Sequence, residues 1–204
     1  RLDPTSLATA AVQRPLDPLS PVTAVLESVS GEVIGSAEDS THARLTGTLL
    51  TAALQVGIAN AALDVSTTYA KEREQFGRPI AEFQGLQWML VDMSTQIAAA
   101  QALVYKAAAS GGAGGFPDVT EAAQAKIFTA DMAIKATSDA LQVFGAAGYS
   151  RNLPLERMYR DARMFTIGGG TAQVLRNLVA SKILGMKVPQ TRDGYSKLAA
   201  DGKN

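Results

Sequence analysis

The pattern of apolar positions divides the chain near Ser36. Before it, short β-prone pieces such as Val22-Thr23-Ala24-Val25-Leu26 and Glu32-Val33-Ile34 alternate with Pro4, Pro15, Pro18 and Pro21. Proline has no N–H to give a ladder, so these pieces predict edge strands and turns, too few to close a sheet of their own. After Ser36 the period changes to three and four. From about Asp39 to Glu74 the residues Leu45, Leu49, Ala52, Val56, Ala59 and Leu63 fall on one stripe. That pattern predicts a helix of about 30 residues, about 45 Å long. Gly77 and Pro79 supply its stop.

A second helix is expected from about Phe83 to Ser110, with Leu86, Leu90, Met93, Ile97, Ala100 and Val104 on one face. Gly111-Gly112-Ala113-Gly114-Gly115 is a flexible connection. Asp118 or Thr120 then caps a third helix reaching about Phe144. A short helix around Leu155 to Ala162 and a last one from about Thr171 to Leu184 follow, and the polar stretch from Val188 to Asn204 reads as an extended arm. Long helices on short or glycine-rich loops make an antiparallel bundle. The fold expected is mainly α, a four- to five-helix bundle over residues 36–186, with a β remnant over 1–35 and the arm over 187–204. Alanine-rich faces with few bulky residues are usually completed by a second subunit, so an oligomer is expected.

Composition narrows the chemistry. Nineteen basic and nineteen acidic side chains cancel, leaving no global field to draw nucleic acid or an anionic membrane. Without cysteine there are no disulfides, thiolate metal sites or cysteine nucleophiles, and the single histidine, His42, forms no histidine cluster. A reducing cytoplasm is compatible with this. The most apolar stretch, Leu49 to Leu63, is interrupted by Thr51, Gln55 and Asn60, and no basic-then-apolar leader opens the sequence, so a soluble protein is expected. The opening at Arg1, without methionine and in a proline-punctuated stretch, looks like a start in mid-fold.

The most informative segment is Ile167-Gly168-Gly169-Gly170-Thr171. Consecutive glycines let the backbone approach a ligand closely, and Thr171 can cap the helix that follows. A loop opening into a helix N-terminus suits a phosphate or a polar heterocycle, although it is also simply how a helix starts. Arg73-Glu74-Gln75-Phe76-Gly77 reads equally as a basic residue answering a helix dipole before a glycine stop. Gln142-Val143-Phe144-Gly145-Ala146-Ala147-Gly148-Tyr149 is either a small-residue exit or a helix end whose amide and free backbone groups bind a nucleotide. Arg160, Asp161 and Arg163 suit an ion-pair set, and Trp88, Met89 and Met93 a core or interface.

In this order the segments resemble the C-terminal part of the acyl-CoA dehydrogenase family. The pieces are Tyr69 to Ile80, Phe83-Gln84, Gln142 to Tyr149, Tyr159 to Arg163, and Gly170-Thr171-Ala172-Gln173, within a resemblance covering about Ser40 to Gly185. It implies the family's helical domain, with residues 1–35 as the last strands of its middle β-domain. It also implies FAD as cofactor, an acyl-CoA thioester as substrate, electron-transfer flavoprotein as partner and α,β-dehydrogenation as reaction. Arg73, Phe76 and Gln84 would contact FAD. Gln142, Gly145 and Ala146 would hold its ADP half across a subunit boundary, and Thr171 with Gln173 would touch it from the last helix.

The resemblance breaks at the base. Abstracting an α-proton needs a carboxylate in reach of that carbon with its pKa raised. Most relatives carry a glutamate just before the Gly-Thr pair, where this chain has Gly169; a smaller branch places it on the first long helix, where the match falls on Gly47. Thr48 likewise stands where relatives often carry an arginine. No catalytic residue and no metal ligand is therefore assigned. Either the base comes from outside this chain, or the chain is a non-catalytic FAD-contacting subunit of a heteromeric dehydrogenase. An oxidase of the same fold and a scaffold that turns nothing over are the remaining classes.

Overall fold

The computed structural model describes residues 8–11, 22–25 and 32–189. They belong to two compact units, Arg1–Ala43 and Arg44–Asn204. The first holds two antiparallel strands, β1 (Ala8–Ala11) and β2 (Val22–Val25), with Ala8 opposite Val25 and Ala11 opposite Val22. Glu32-Val33-Ile34, expected as a strand, is not part of one, and Val33 is 89% exposed. β-branched residues make a strand only where a neighbouring strand takes their hydrogen bonds.

Helix α1 (Ala37–Glu72) starts on a reciprocal cap. The Ser36 N–H donates to Asp39 Oδ2 at 2.7 Å and the Asp39 N–H to Ser36 Oγ at 3.1 Å, each satisfying a donor the helix leaves open. By length and composition α1 could cross a membrane. In the second unit its Ala52, Val56, Ala59 and Ala62 are instead part of the core.

That unit continues with a short hairpin, β3 (Glu74–Gln75) and β4 (Arg78–Pro79), then α2 (Gln84–Ala109), α3 (Val119–Phe144), α4 (Leu155–Met164) and α5 (Ala172–Leu184). Local chemistry sets the boundaries. Asp118 caps α3 by accepting from the Thr120 and Glu121 N–H groups, and Thr171 caps α5 by accepting from Val174. Gly145 ends α3 at φ +57°. Half of the 26 residues of α3 are buried, making it the central helix, packed against α2, α4 and α5. Ala125, Ala136 and Ala140 of α3 meet Ala100 and Ala107 of α2 in the core, where small side chains let the helices come close. Ion pairs Lys106–Glu121 (2.9 Å) and Arg176–Asp131 (2.6 Å) tie α2 and α5 to it.

Candidate functional site

α1 stops at Glu72, and Gly77 is not its stop. The Arg73 N–H still donates to the Tyr69 carbonyl, after which the chain folds into the hairpin with Glu74 opposite Pro79 and Gln75 opposite Arg78. Its two turn residues, Phe76 and Gly77, have φ of +55° and +77°. Positive φ at both positions matches the twist of a two-residue hairpin, but at the first it usually selects asparagine, aspartate or glycine. A phenylalanine there is strained, and its ring is 93% exposed. It leans edge-on to Phe83 at 6.1 Å, while the Arg78 guanidinium lies 4.3 Å over the same Phe83 ring. The hairpin thus holds an aromatic face in solvent on a braced support.

Beside the hairpin is a cleft of about 590 Å³ between the end of α1, the start of α2 and the end of α3. Of the residues expected from sequence, Arg73, Gln142, Gly145 and Ala146 line it. Gln75, Gly85 and Met89 line it too; none was expected as a site residue, and Met89 was expected in the core or an interface. Tyr69, another lining residue, stacks on Phe144 with ring centroids 4.0 Å apart. Phe76 forms the hairpin tip above Arg73 and Gln75, and Gln84 opens α2 next to Gly85. Thr171 and Gln173 are not among its lining residues; they belong to the start of α5.

The glycine loop is a second locus. Gly169 and Gly170 have φ of +68° and +94°, which only glycine adopts without strain. Beneath them lies a residue the sequence reading missed, Lys126 of α3, only 1% exposed. Its Nζ donates to the Gly168 carbonyl at 2.5 Å and the Gly170 carbonyl at 2.6 Å. Burial pushes the Lys126 pKa below the ordinary lysine value. The signal was present: Ala122, Lys126, Thr129 and Ala133 share one helical face, and a lysine there must find partners. The Ala172 N–H closes the loop onto the Thr166 carbonyl, and the Arg163 guanidinium donates to Thr166 Oγ1.

Gln55 of α1 and Thr129 of α3 add a buried polar pair. The Thr129 hydroxyl donates to Gln55 Oε1 at 2.6 Å, while the Gln55 amide nitrogen has no partner. Arg160 and Asp161 belong to helix-surface pairing, with Arg160 bonding Glu156 at 2.7 Å and Asp161 pairing with Arg157, whereas Arg163, expected in the same ion-pair set, bonds the Thr166 hydroxyl instead. Met93 is core, whereas Trp88 is 62% exposed.

No acid occupies either position at which a base was sought. A side chain at Gly169 would start 3.4 Å from Lys126 Nζ, and one at Gly47 would start in open space. Of the acids near the first helix, Asp39 is committed to its cap; the Ser36 hydrogen bonds hold its carboxyl below the ordinary range, the wrong direction for a general base.

The sequence matches the family described as "Acyl-CoA dehydrogenase, C-terminal domain" over residues 42–184. It is 61% identical over 151 residues to the 3-sulfinopropanoyl-CoA desulfinase of Advenella mimigardefordensis, covering 74% of this chain and 37% of that protein. It is 46% identical over 138 residues to a probable acyl-CoA dehydrogenase of Bacillus subtilis, 68% of this chain and 36% of that one. Butyryl-CoA dehydrogenase from Megasphaera elsdenii superposes with a TM-score of 0.70 at 37% identity, covering 80% of this chain and 43% of the enzyme. The chain therefore spans little more than a third of the length of these curated relatives. With the helix order, the cleft and the matched residues in agreement, the chain belongs to the acyl-CoA dehydrogenase family, whose C-terminal helical domain it carries.

Proposed function

We propose that this chain is the FAD- and acyl-CoA-handling helical domain of an acyl-CoA dehydrogenase-like flavoprotein, and that the reaction it serves is desulfination of a 3-sulfinoacyl-CoA thioester. The observation that carries the reading is the pair of glycines, Gly169 and Gly47, at both positions for the α-proton base, in a chain 61% identical to a desulfinase. Desulfination needs no such base. The C3–S bond breaks, a C–H bond forms at C3, and sulfur leaves as sulfite, R–SO₂⁻ + H₂O giving R–H + HSO₃⁻. Sulfur is oxidised and carbon reduced in the same molecule, so no external electron acceptor is required. A glutamate would oppose this substrate: two like charges roughly 5 Å apart cost about 3 kcal/mol at an effective dielectric of 20.

The cleft fits FAD by its donor set. Arg73 offers a forked donor suited to a pyrophosphate, Gln142 an amide, Gly145 and Ala146 an exposed backbone, and Phe76 a solvent-facing ring. Gln84, Thr171 and Gln173 would complete the contacts, the last two from another copy or subunit. Bound there, the flavin supplies hydride acceptance to the family's dehydrogenases. Exposed Leu54, Trp88, Val91 and Tyr105 support assembly into a homo- or hetero-oligomer.

Family membership favours a second reading, α,β-dehydrogenation with the base supplied from outside the described residues and electrons passed to an electron-transfer flavoprotein. One experiment separates the two. The intact, flavin-loaded protein is given 3-sulfinopropanoyl-CoA and, separately, butanoyl-CoA. Stoichiometric sulfite release with the flavin spectrum unchanged is the expected result; flavin bleaching by butanoyl-CoA without sulfite release would establish the second reading. A colourless preparation would return the chain to the scaffold class.

A further inference from the structure

We infer that Lys126 is a positioning residue for the acyl group: it orients the glycine loop so that two peptide N–H groups face away from the core toward the substrate. The inference rests on the acyl-CoA reading above. Lys126 Nζ bonds the carbonyls of Gly168 and Gly170, alternate residues of one loop. No peptide bond among the described residues is cis. In a planar trans peptide the N–H points opposite to the C=O. With both carbonyls drawn to one buried ammonium, the N–H groups of Gly169 and Thr171 are turned away from it. Gly169 is exposed and Thr171 half-buried, so this is the accessible side.

The ammonium acts on these groups in two ways. It removes freedom from three consecutive glycines, a sequence that otherwise samples many loop conformations. It also polarises each peptide through its carbonyl, making the opposite N–H a better donor. Fixed donors aimed at an oxygen that gains negative charge are a strong form of transition-state stabilisation. The α3 backbone that carries Lys126 is itself held, since Thr129, one turn on, bonds Gln55 of α1.

The test uses the intact flavoprotein with Lys126→Met, Lys126→Arg and the unchanged protein. Amide exchange is read at Gly169 and Thr171, and kcat and KM are normalised to bound flavin. Normalisation removes any loss caused by unfolded or flavin-free protein. Lys126→Met should raise loop exchange and lower flavin-normalised kcat on the order of 10²-fold, as displacement of a positioned group by about an ångström does. Lys126→Arg, which keeps the charge and its donors, should recover most of that loss. Unchanged normalised kcat in Lys126→Met, or the same loss in both variants, would overturn the inference. If Lys126→Met does not fold, the unchanged protein decides: amides 169 and 171 should gain protection when an acyl-CoA binds, and no gain overturns the inference. Substrate-free exchange is read with no sulfinate present, so failure of the desulfinase reading leaves that result standing.

Discussion

Removing the Thr129 hydroxyl by Thr129→Val should destabilise the protein far more than the loss of one hydroxyl implies. Gln55 is fully buried and its amide nitrogen already lacks a partner; the Thr129 hydroxyl is the donor to its Oε1, at 2.6 Å. Valine keeps the volume but strands the whole amide in an alanine-rich core. A stranded buried polar group costs about 1–3 kcal/mol, and in a domain of this size each kcal/mol lowers Tm by about 2–4 °C. Gln55→Met should behave oppositely, because it removes the orphaned donor. Thr129 then keeps the Lys126 carbonyl at 3.2 Å as acceptor. This variant should be neutral or stabilising, and the double variant more stable than Thr129→Val alone, with a coupling of about 1 kcal/mol or more. Urea and thermal unfolding of the intact protein measure this, with FAD held at one saturating concentration because bound ligand itself raises Tm. Equal losses in the two single variants, adding independently in the double, would refute the reasoning.

Asp118→Ala should cost about 1 kcal/mol of stability through loss of the α3 cap. The Glu121 N–H first, and Thr120 next, hold the Asp118 carboxyl below its ordinary value of 3.8, so its contribution is full above that value and fades as pH falls through the lower folded one. The variant should lose that part of the acid dependence, read from unfolding midpoints against pH. Phe76→Asn should raise the stability of the flavin-free protein by about 1 kcal/mol by relieving positive φ, while less flavin survives gel filtration. Undiminished flavin retention would remove Phe76 from the cofactor contacts.

The helices were legible because their ends carry side-chain chemistry. Asp118 and Thr171 each bond N–H groups within their own first turn, so the boundary is written in consecutive residues. The hairpin was not legible. Strands of two residues have no period to detect, and phenylalanine at a positive-φ turn position runs against turn preference, so Gly77 and Pro79 read as a helix stop. The resemblance implied FAD contacts at Arg73 and, across a subunit boundary, at Gln142, Gly145 and Ala146, and the structure lines one cleft with all four, whereas the hydrogen bonds of Lys126 depend on a partner 42 residues away. A lysine on a helix is ordinarily a surface residue; here alanine at the neighbouring positions of its stripe leaves the ammonium no route to water.

Helix α3 also bears on how much of the proposed FAD site the cleft could supply. It supplies Lys126 to the glycine loop and, sixteen residues on, Gln142 to the cleft. At 1.5 Å per residue these groups are about 24 Å apart along one rigid helix. Thr171 follows the loop that Lys126 grips, so α5 begins far from the cleft, consistent with neither Thr171 nor Gln173 lining it. If all eight matched residues contact flavin, the same dinucleotide must be gripped by the cleft of one copy and the loop of another. The spacing within a single helix therefore supports the proposed assembly more directly than the exposed apolar residues do: those only offer area to cover, whereas a second copy or subunit would bring a cleft and a loop within reach of one ligand.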